Sequence, residues 1–168
     1  MALFNSNPGE NDAHRVVRDE NRVLAYRRSI ASTLNDLNAE LSRLNKDLKS
    51  ANMALQNVVA RADFSLPAER MNIVGHLTKL VRIYREVGKL RKTGEPLAIA
   101  EASQTIEQLL NGIVNAMRNG TIVTKQDLAG QLSRVYTANG NLSTYLEQEQ
   151  SRVYGELEMH TNLLRRTS

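Results

Sequence analysis

The sequence predicts an all-α fold: an elongated four- to five-helix coiled-coil-like bundle with one very long N-terminal helix. Apolar residues recur alternately four and three positions apart from Ile30 to Ala62, which is the heptad seam of a coiled coil. Neither Pro nor Gly interrupts the chain between Gly9 and Pro67. The composition is 41% apolar but only 4% aromatic, with three Pro, which is typical of helices joined by short turns.

The chain of 168 residues is long enough for one domain with a sizeable core. We expect a flexible tail over residues 1–7 and a single helical bundle domain over residues 8–168. Asn7-Pro8-Gly9-Glu10 predicts a capped helix start. Helix 1 should then run for about 54 residues, roughly 80 Å, which exceeds the diameter of a domain of this size. Other helices of the chain, or another subunit, must therefore cover much of it.

Two shorter helices are expected next. Ser65 is the predicted N-cap of helix 2, which covers residues 66–92 and ends at Thr93-Gly94-Glu95-Pro96. Helix 3 covers residues 97–118 and stops at Asn119-Gly120. Both have wide apolar stripes at helical spacing, which predict burial on more than one side. The stripe of helix 2 consists of Ile73, Leu77, Leu80, Val81, Tyr84 and Val87.

Helix 4 is expected to be long and interrupted. Thr124 and Asp127 resemble a capping box in which Asp replaces Glu. The helix then runs to residue 166, and Ala138-Asn139-Gly140-Asn141 predicts a kink or a break within it.

The heptad seam of helix 1 is the predicted surface of self-association. In register upstream it continues through Arg27, Val23, Glu20 and Val16 and becomes partly polar. Asn38, Asn45 and Asn52 recur beside it at e positions, where they either cross-link to a neighbouring helix or face water; the second interpretation is preferred. The predicted oligomerisation seam consists of Ile30, Leu34, Leu37, Leu41, Leu44, Leu48, Leu55 and Val58.

The net charge of +4 is unevenly distributed. Residues 1–92 carry 16 Lys+Arg and 10 Asp+Glu, a net of +6, whereas residues 93–168 carry 6 and 8, a net of −2. On helix 2, five cations recur at helical spacing, and such a face either tracks phosphates or an anionic bilayer, or is simply solvated. The solvated interpretation is slightly preferred. The predicted anion-binding residues are Lys79, Arg82, Arg85, Lys89 and Lys92.

The sequence shows no motif of an enzyme. Its three His are widely separated, and none follows a Glu by three positions as di-iron bundles require. Glu156 and His160 lie four apart, but one pair does not make a metal centre. There is no nucleophile elbow and no phosphate-binding Gly loop, and the chain has no Cys for thiolate chemistry. We therefore expect no catalytic residue, no metal, no cofactor and no small-molecule substrate.

The M-A-L-F start ahead of long, partly basic helices resembles membrane-remodelling filament proteins of the phage-shock and ESCRT-III group. Four residues and a composition transfer no residue roles. The start lacks a secretory signal, and no stretch has the roughly 20 apolar residues that span a bilayer, so a cytoplasmic location is expected.

Two functions follow from these features as hypotheses. The first is a non-enzymatic structural or scaffolding protein that forms a homo-oligomer through its long amphipathic helices. The second is a module that binds nucleic acid or an anionic membrane surface through the basic face of helix 2, as in a virus or phage structural protein or a membrane-remodelling filament protein.

Overall fold

The structure, a computed structural model, describes residues 8–90 and 97–167, with side chains over residues 15–90 and 98–166. Within these residues the chain is all helical, without strands, which confirms the predicted class. The helices are α1 (Pro8–Arg61), α2 (Pro67–Gly88), α3 (Leu97–Arg118) and α4 (Lys125–Thr167). The predicted tail, the Asn7-to-Glu10 cap and the turn at Thr93-Gly94-Glu95-Pro96 lie outside the described side chains.

α1 is one continuous helix of 54 residues, as the absence of Pro and Gly predicts. It ends at Arg61, and Asp63 organises the turn that follows. The Asp63 carboxylate accepts hydrogen bonds from the Ser65 backbone N–H at 3.0 Å and from the Ser65 hydroxyl at 2.6 Å. These bonds hold the pKa of Asp63 below its usual value.

The predicted N-cap of α2 at Ser65 is wrong. Leu66 occupies the N-cap position and makes no side-chain cap hydrogen bond. The Ser65 hydroxyl is already used by Asp63, and Pro67 in the first turn has the fixed φ that suits a helix start.

α2 is also shorter than predicted, because it ends at Gly88 rather than at residue 92. The backbone N–H groups of Lys89 and Leu90 donate to Glu86 and Val87, both at 3.1 Å, and these bonds tighten the last turn. Leu90 lies just past the helix and is buried. The predicted apolar stripe is buried in full: Ile73, Leu77, Leu80, Val81, Tyr84 and Val87.

The connection between α3 and α4 follows the predicted turn chemistry. Gly120 adopts a φ of 79°, in the left-handed region that favours Gly. The Thr121 backbone N–H donates to the side chain of Asn119 at 3.1 Å. The Thr124 hydroxyl then accepts the backbone N–H of Asp127 at 3.1 Å, so Thr124 caps α4 as predicted.

The expected break in α4 does not occur. The helix continues through Gly140 to Thr167. A Gly costs a helix only about 1 kcal/mol relative to Ala. Val135 and Leu142 are fully buried on either side of Gly140, and their packing outweighs this cost.

The chain divides into two compact units. Unit 2 covers residues 39–151 and contains the C-terminal part of α1, all of α2 and α3, and the N-terminal stretch of α4; its four helices enclose a core of Leu, Ile and Val. Unit 1 covers residues 1–38 and 152–168 and, where the structure describes it, consists of two helical segments. Among its described side chains, the buried apolar residues are Leu34, Leu37 and Val153.

Within the residues that the structure describes, no helix combines the length and the apolar character needed to cross a membrane.

Candidate association and anion-binding surfaces

The predicted oligomerisation seam lies mostly in the core of the chain itself. Ile30 and Val58, at its two ends, are half-buried. The other six seam residues are exposed by no more than 6%. Their apolar surface is therefore already covered by other helical segments of the same chain. The six buried residues are Leu34, Leu37, Leu41, Leu44, Leu48 and Leu55.

The upstream continuation of the same register is exposed at three of its four positions, and the fourth, Arg27, is half-buried. We call Val16, Glu20, Val23 and Arg27 the upstream seam. Val16 and Val23, at d positions, are 54% and 46% exposed. Together with Asp19 and Leu24, the upstream seam lines an open surface groove of about 520 Å³ in unit 1, and its described lining residues all belong to α1. In this stretch the amphipathic face of α1 thus lies open rather than packed in a core.

The predicted basic face of α2 is at the surface of unit 2. Lys79, Arg82, Arg85 and Lys89 are exposed, whereas Lys92 lies outside the described residues. Arg85 is not free, because its guanidinium contacts the Glu107 carboxylate of α3 at 2.8 Å. Lys79, Arg82 and Lys89 have no acidic partner among the described side chains. We call these three residues, of which Lys89 directly follows the last residue of the helix, the cationic surface of α2.

Acidic groups flank the cationic surface without neutralising it. Glu86 of α2 accepts from Arg43 of α1 at 3.2 Å, and Arg43 also pairs with Asp47. Glu86 and Glu107 are therefore each engaged with an arginine. All of these pairs are at least partly exposed, so each adds little to stability.

A buried polar cluster joins all four helices in unit 2, centred on Tyr84 of α2, which is 0% exposed. Its hydroxyl donates to Asn139 Oδ1 of α4 at 2.5 Å and accepts from Asn52 Nδ2 of α1 at 3.3 Å. Its backbone carbonyl accepts the Ser103 hydroxyl of α3 at 2.9 Å. Asn52 Nδ2 also donates to the Leu48 carbonyl at 2.9 Å. Among the predicted e-position Asn residues, Asn52 therefore cross-links helices rather than facing water.

Burial controls the ionisation of the two neighbouring phenols. It raises the pKa of Tyr84 to about 12, against a smaller opposing effect of the hydrogen bond with Asn52. Burial also raises the pKa of the half-buried Tyr136, and the hydrogen bond with Gln56 opposes this. Both phenols are therefore neutral at physiological pH.

A polar groove of about 270 Å³ lies beside this cluster between α1 and α4. Its lining includes Asn52, Gln56, Asn139 and Lys49. Asn52 Oδ1 is buried and has no hydrogen-bond partner among the described groups. Because this oxygen is sealed from solvent, a molecule in the groove could not reach it without a rearrangement. We therefore assign no ligand to this groove.

The described side chains contain no group of three or more His, Cys, Asp or Glu residues that could hold a metal ion. Within the predicted Glu156/His160 pair, the Glu156 carboxylate accepts from Arg152 at 2.7 Å.

The polar cluster was not predicted from the sequence, although some of its signal is there. Tyr84 falls on the apolar stripe of α2, so its burial was predicted, and a buried Tyr usually finds a hydrogen-bond partner. Asn52 lies beside buried Leu48 and Leu55, so it borders the core. The identity of its partner depends on which helices are neighbours, and heptad spacing does not specify that.

Comparisons of the chain with family models, curated proteins and solved structures gave no match.

Proposed function

We propose that this protein is a non-enzymatic structural protein that self-associates through the upstream seam of α1. The observation that carries the proposal is the exposure of Val16 and Val23 in the same heptad register that buries Leu34 and Leu41. A helix face that repeats apolar residues at heptad spacing gains free energy when another helix covers it.

Unit 1 supports this proposal because it has few helices with which to build a core. Its described residues form a pair of helical segments, whereas unit 2 uses four helices. Val17, Tyr26, Tyr154 and Met159 of unit 1 are also more than half exposed. Fully burying one Val or Leu side chain contributes about 1.5 to 3 kcal/mol, so covering several half-exposed ones is enough to favour association.

The proposed packing is coiled-coil-like, since the a and d positions alternate three and four apart. The proposed product is a homo-oligomer in the cytoplasm. The chain has no Cys, so its fold requires no disulfide and therefore no oxidising compartment.

The test is the absolute mass of the protein, measured by light scattering after size exclusion, at low and high salt and after removal of nucleic acid. We expect a defined oligomer at both salts. A variant with Val16→Asp and Val23→Asp should fall to the monomer mass with unchanged helicity, because the charges would have to be desolvated in the interface.

The matched control places the same charges on exposed apolar residues of unit 2, Met53→Asp and Val123→Asp, and should keep the wild-type mass. A wild-type monomer at all protein concentrations, or equal masses for both double variants, would overturn the proposal.

A second candidate function is the binding of a phosphate-bearing polyanion, either nucleic acid or an anionic membrane surface, by the cationic surface of α2. The observation that favours it is that Lys79, Arg82 and Lys89 lie at the surface without an acidic partner among the described residues. Phosphate contacts of this kind release counterions and weaken steeply as the salt concentration rises.

Binding to DNA, RNA and anionic vesicles tests this candidate by a salt titration, with zwitterionic vesicles as the reference. Arg82→Glu with Lys89→Glu should abolish binding at unchanged oligomeric mass. Lys46→Glu with Arg134→Glu, on α1 and α4, makes the same change in net charge and should reduce binding much less. Affinity that is indifferent to salt or equal for the two variants counts against the cationic surface.

A further inference from the structure

The upstream seam carries two opposite charges at a positions. Glu20 and Arg27 are seven residues apart, which is about 10.5 Å along one helix. Neither has an ion-pair partner among the described side chains, and both line the open groove of unit 1 with Val23 and Leu24 between them. The order along the groove is thus acidic, apolar, basic.

This order discriminates between the two ways in which a second α1 could lie in the groove. A parallel copy in register would set Glu20 against Glu20 and Arg27 against Arg27 at the centre of the contact, where like charges are unfavourable. An antiparallel copy centred between Val23 and Leu24 would bring each Glu20 within about one helical turn of the other copy's Arg27. It would also set the apolar residues against each other at the centre.

We propose that the occupant of this groove is a second copy of the chain, bound antiparallel, with a two-fold axis between Val23 and Leu24. Such a contact is isologous, since each copy supplies the same residues and each ion pair occurs twice. The two helical segments of unit 1 from each copy together make four, the number that encloses a bundle core. This inference depends on the self-association proposed above.

Single cysteines test the orientation cleanly because the natural chain has none. A disulfide needs Cβ atoms about 3.5 to 4.5 Å apart. In the antiparallel dimer, Val23→Cys lies close to the axis and should cross-link to its own copy under mild oxidation. Val16→Cys lies about 22 Å along the axis from its equivalent and should not. When the Val16→Cys protein is mixed with the Ala31→Cys protein, a disulfide should link one copy of each, because position 16 of one copy faces position 31 of the other.

Each outcome has one meaning when the reduced variants are first shown to keep the wild-type mass. A monomeric wild type overturns the self-association and the antiparallel contact together. A wild-type oligomer in which Val16→Cys cross-links to itself overturns the antiparallel contact alone, in favour of a parallel one. A wild-type oligomer in which none of the three cysteines cross-links shows that another surface mediates association.

A charge exchange provides an independent readout. Glu20→Arg alone, or Arg27→Glu alone, should weaken the dimer on the order of tenfold, because two ion pairs become two like-charge contacts. The double variant Glu20→Arg with Arg27→Glu should restore the wild-type dissociation constant. Additive weakening in the double variant would contradict the reciprocal pairing.

Discussion

Tyr84 connects the four helices of unit 2 through one hydroxyl and one carbonyl, and it shows how a buried polar side chain can specify neighbours that apolar residues cannot. Leu and Val side chains pack against any apolar partner of suitable size. The Tyr84 hydroxyl requires both Asn52 and Asn139 in place. An altered helix arrangement would leave these groups buried and unpaired, at a cost of about 1 to 3 kcal/mol each.

The first prediction concerns this hydroxyl. Tyr84→Phe removes it and leaves the Asn139 oxygen and one Asn52 N–H without their partner, so the free energy of unfolding should fall by about 1 to 3 kcal/mol at neutral pH. Urea denaturation measures this. Tyr154→Phe, at an exposed phenol, is the control and should be neutral.

The same phenol predicts a pH dependence at the alkaline end. In the unfolded chain Tyr84 ionises near the ordinary tyrosine pKa of 10.0, whereas burial raises its pKa to about 12 in the folded protein. Its neutral form is therefore favoured by folding, and stability should be lost as the pH rises from about 10 to 12, by roughly 2 to 3 kcal/mol. The Tyr84→Phe variant should lack this component of the alkaline loss. Parallel pH profiles for the two proteins would contradict the assignment.

At the level of single residues, the sequence predicts which side chains are buried better than it predicts what they bind. The stripe that contains Tyr84 was predicted from helical spacing and is buried in full. The role of Asn52 is not predicted from the sequence, because its hydrogen bond to Tyr84 joins residues 32 positions apart in the chain. Periodicity reports the face of a helix, and only tertiary structure supplies the partner.

Among the helices, α1 and α3 match their predicted bounds, because Pro8 and Pro96 lie at their starts and Pro67 and Asn119-Gly120 follow their ends. α4 differs, since Asn139-Gly140-Asn141 has the composition of a turn but lies within a continuous helix. Local propensity there amounts to about 1 kcal/mol per residue, which the burial of flanking Leu and Val outweighs.

Gly140 therefore provides a prediction about α4. A Cβ at this position would meet no other atom within 4 Å, and its backbone φ is not in the left-handed region. Gly140→Ala should raise the free energy of unfolding by about 0.5 to 1 kcal/mol. In a thermal melt, each kcal/mol raises the melting temperature of a chain of this size by about 2 to 4 °C. Gly120→Ala, at a φ of 79°, should instead destabilise the protein. Destabilisation by Gly140→Ala would indicate that α4 is interrupted there after all.

For the whole molecule, the heptad pattern predicts that other helices pack on the apolar seam of α1, but it does not predict whether those helices belong to the same chain or to another copy. Leu41 and Leu48 were assigned to oligomerisation, and the structure buries both within unit 2. Intrachain and interchain seams share the same spacing, because both follow from the geometry of one helix packed on another. The distinction becomes visible only where Val16 and Val23 remain exposed.

The corresponding prediction separates folding from association. Leu41→Asp with Leu48→Asp would bury two charges in the core. We therefore expect the free energy of unfolding to fall by more than about 4 kcal/mol and the helical signal in circular dichroism to be lost. Met53→Asp, on the exposed side of the same helix, should keep wild-type helicity. A double variant that stays helical but becomes monomeric would return the assembly interface to this stretch of α1.

The continuity of α1 through both units also affects the entropy of association. An isolated helical segment as short as residues 15–30 is marginal in water, because its first turn must be nucleated at high cost. Here the segment belongs to one continuous helix of 54 residues whose later leucines are already buried. A partner therefore meets a helix whose backbone order is largely in place, so more of the free energy gained by covering its apolar face remains for binding.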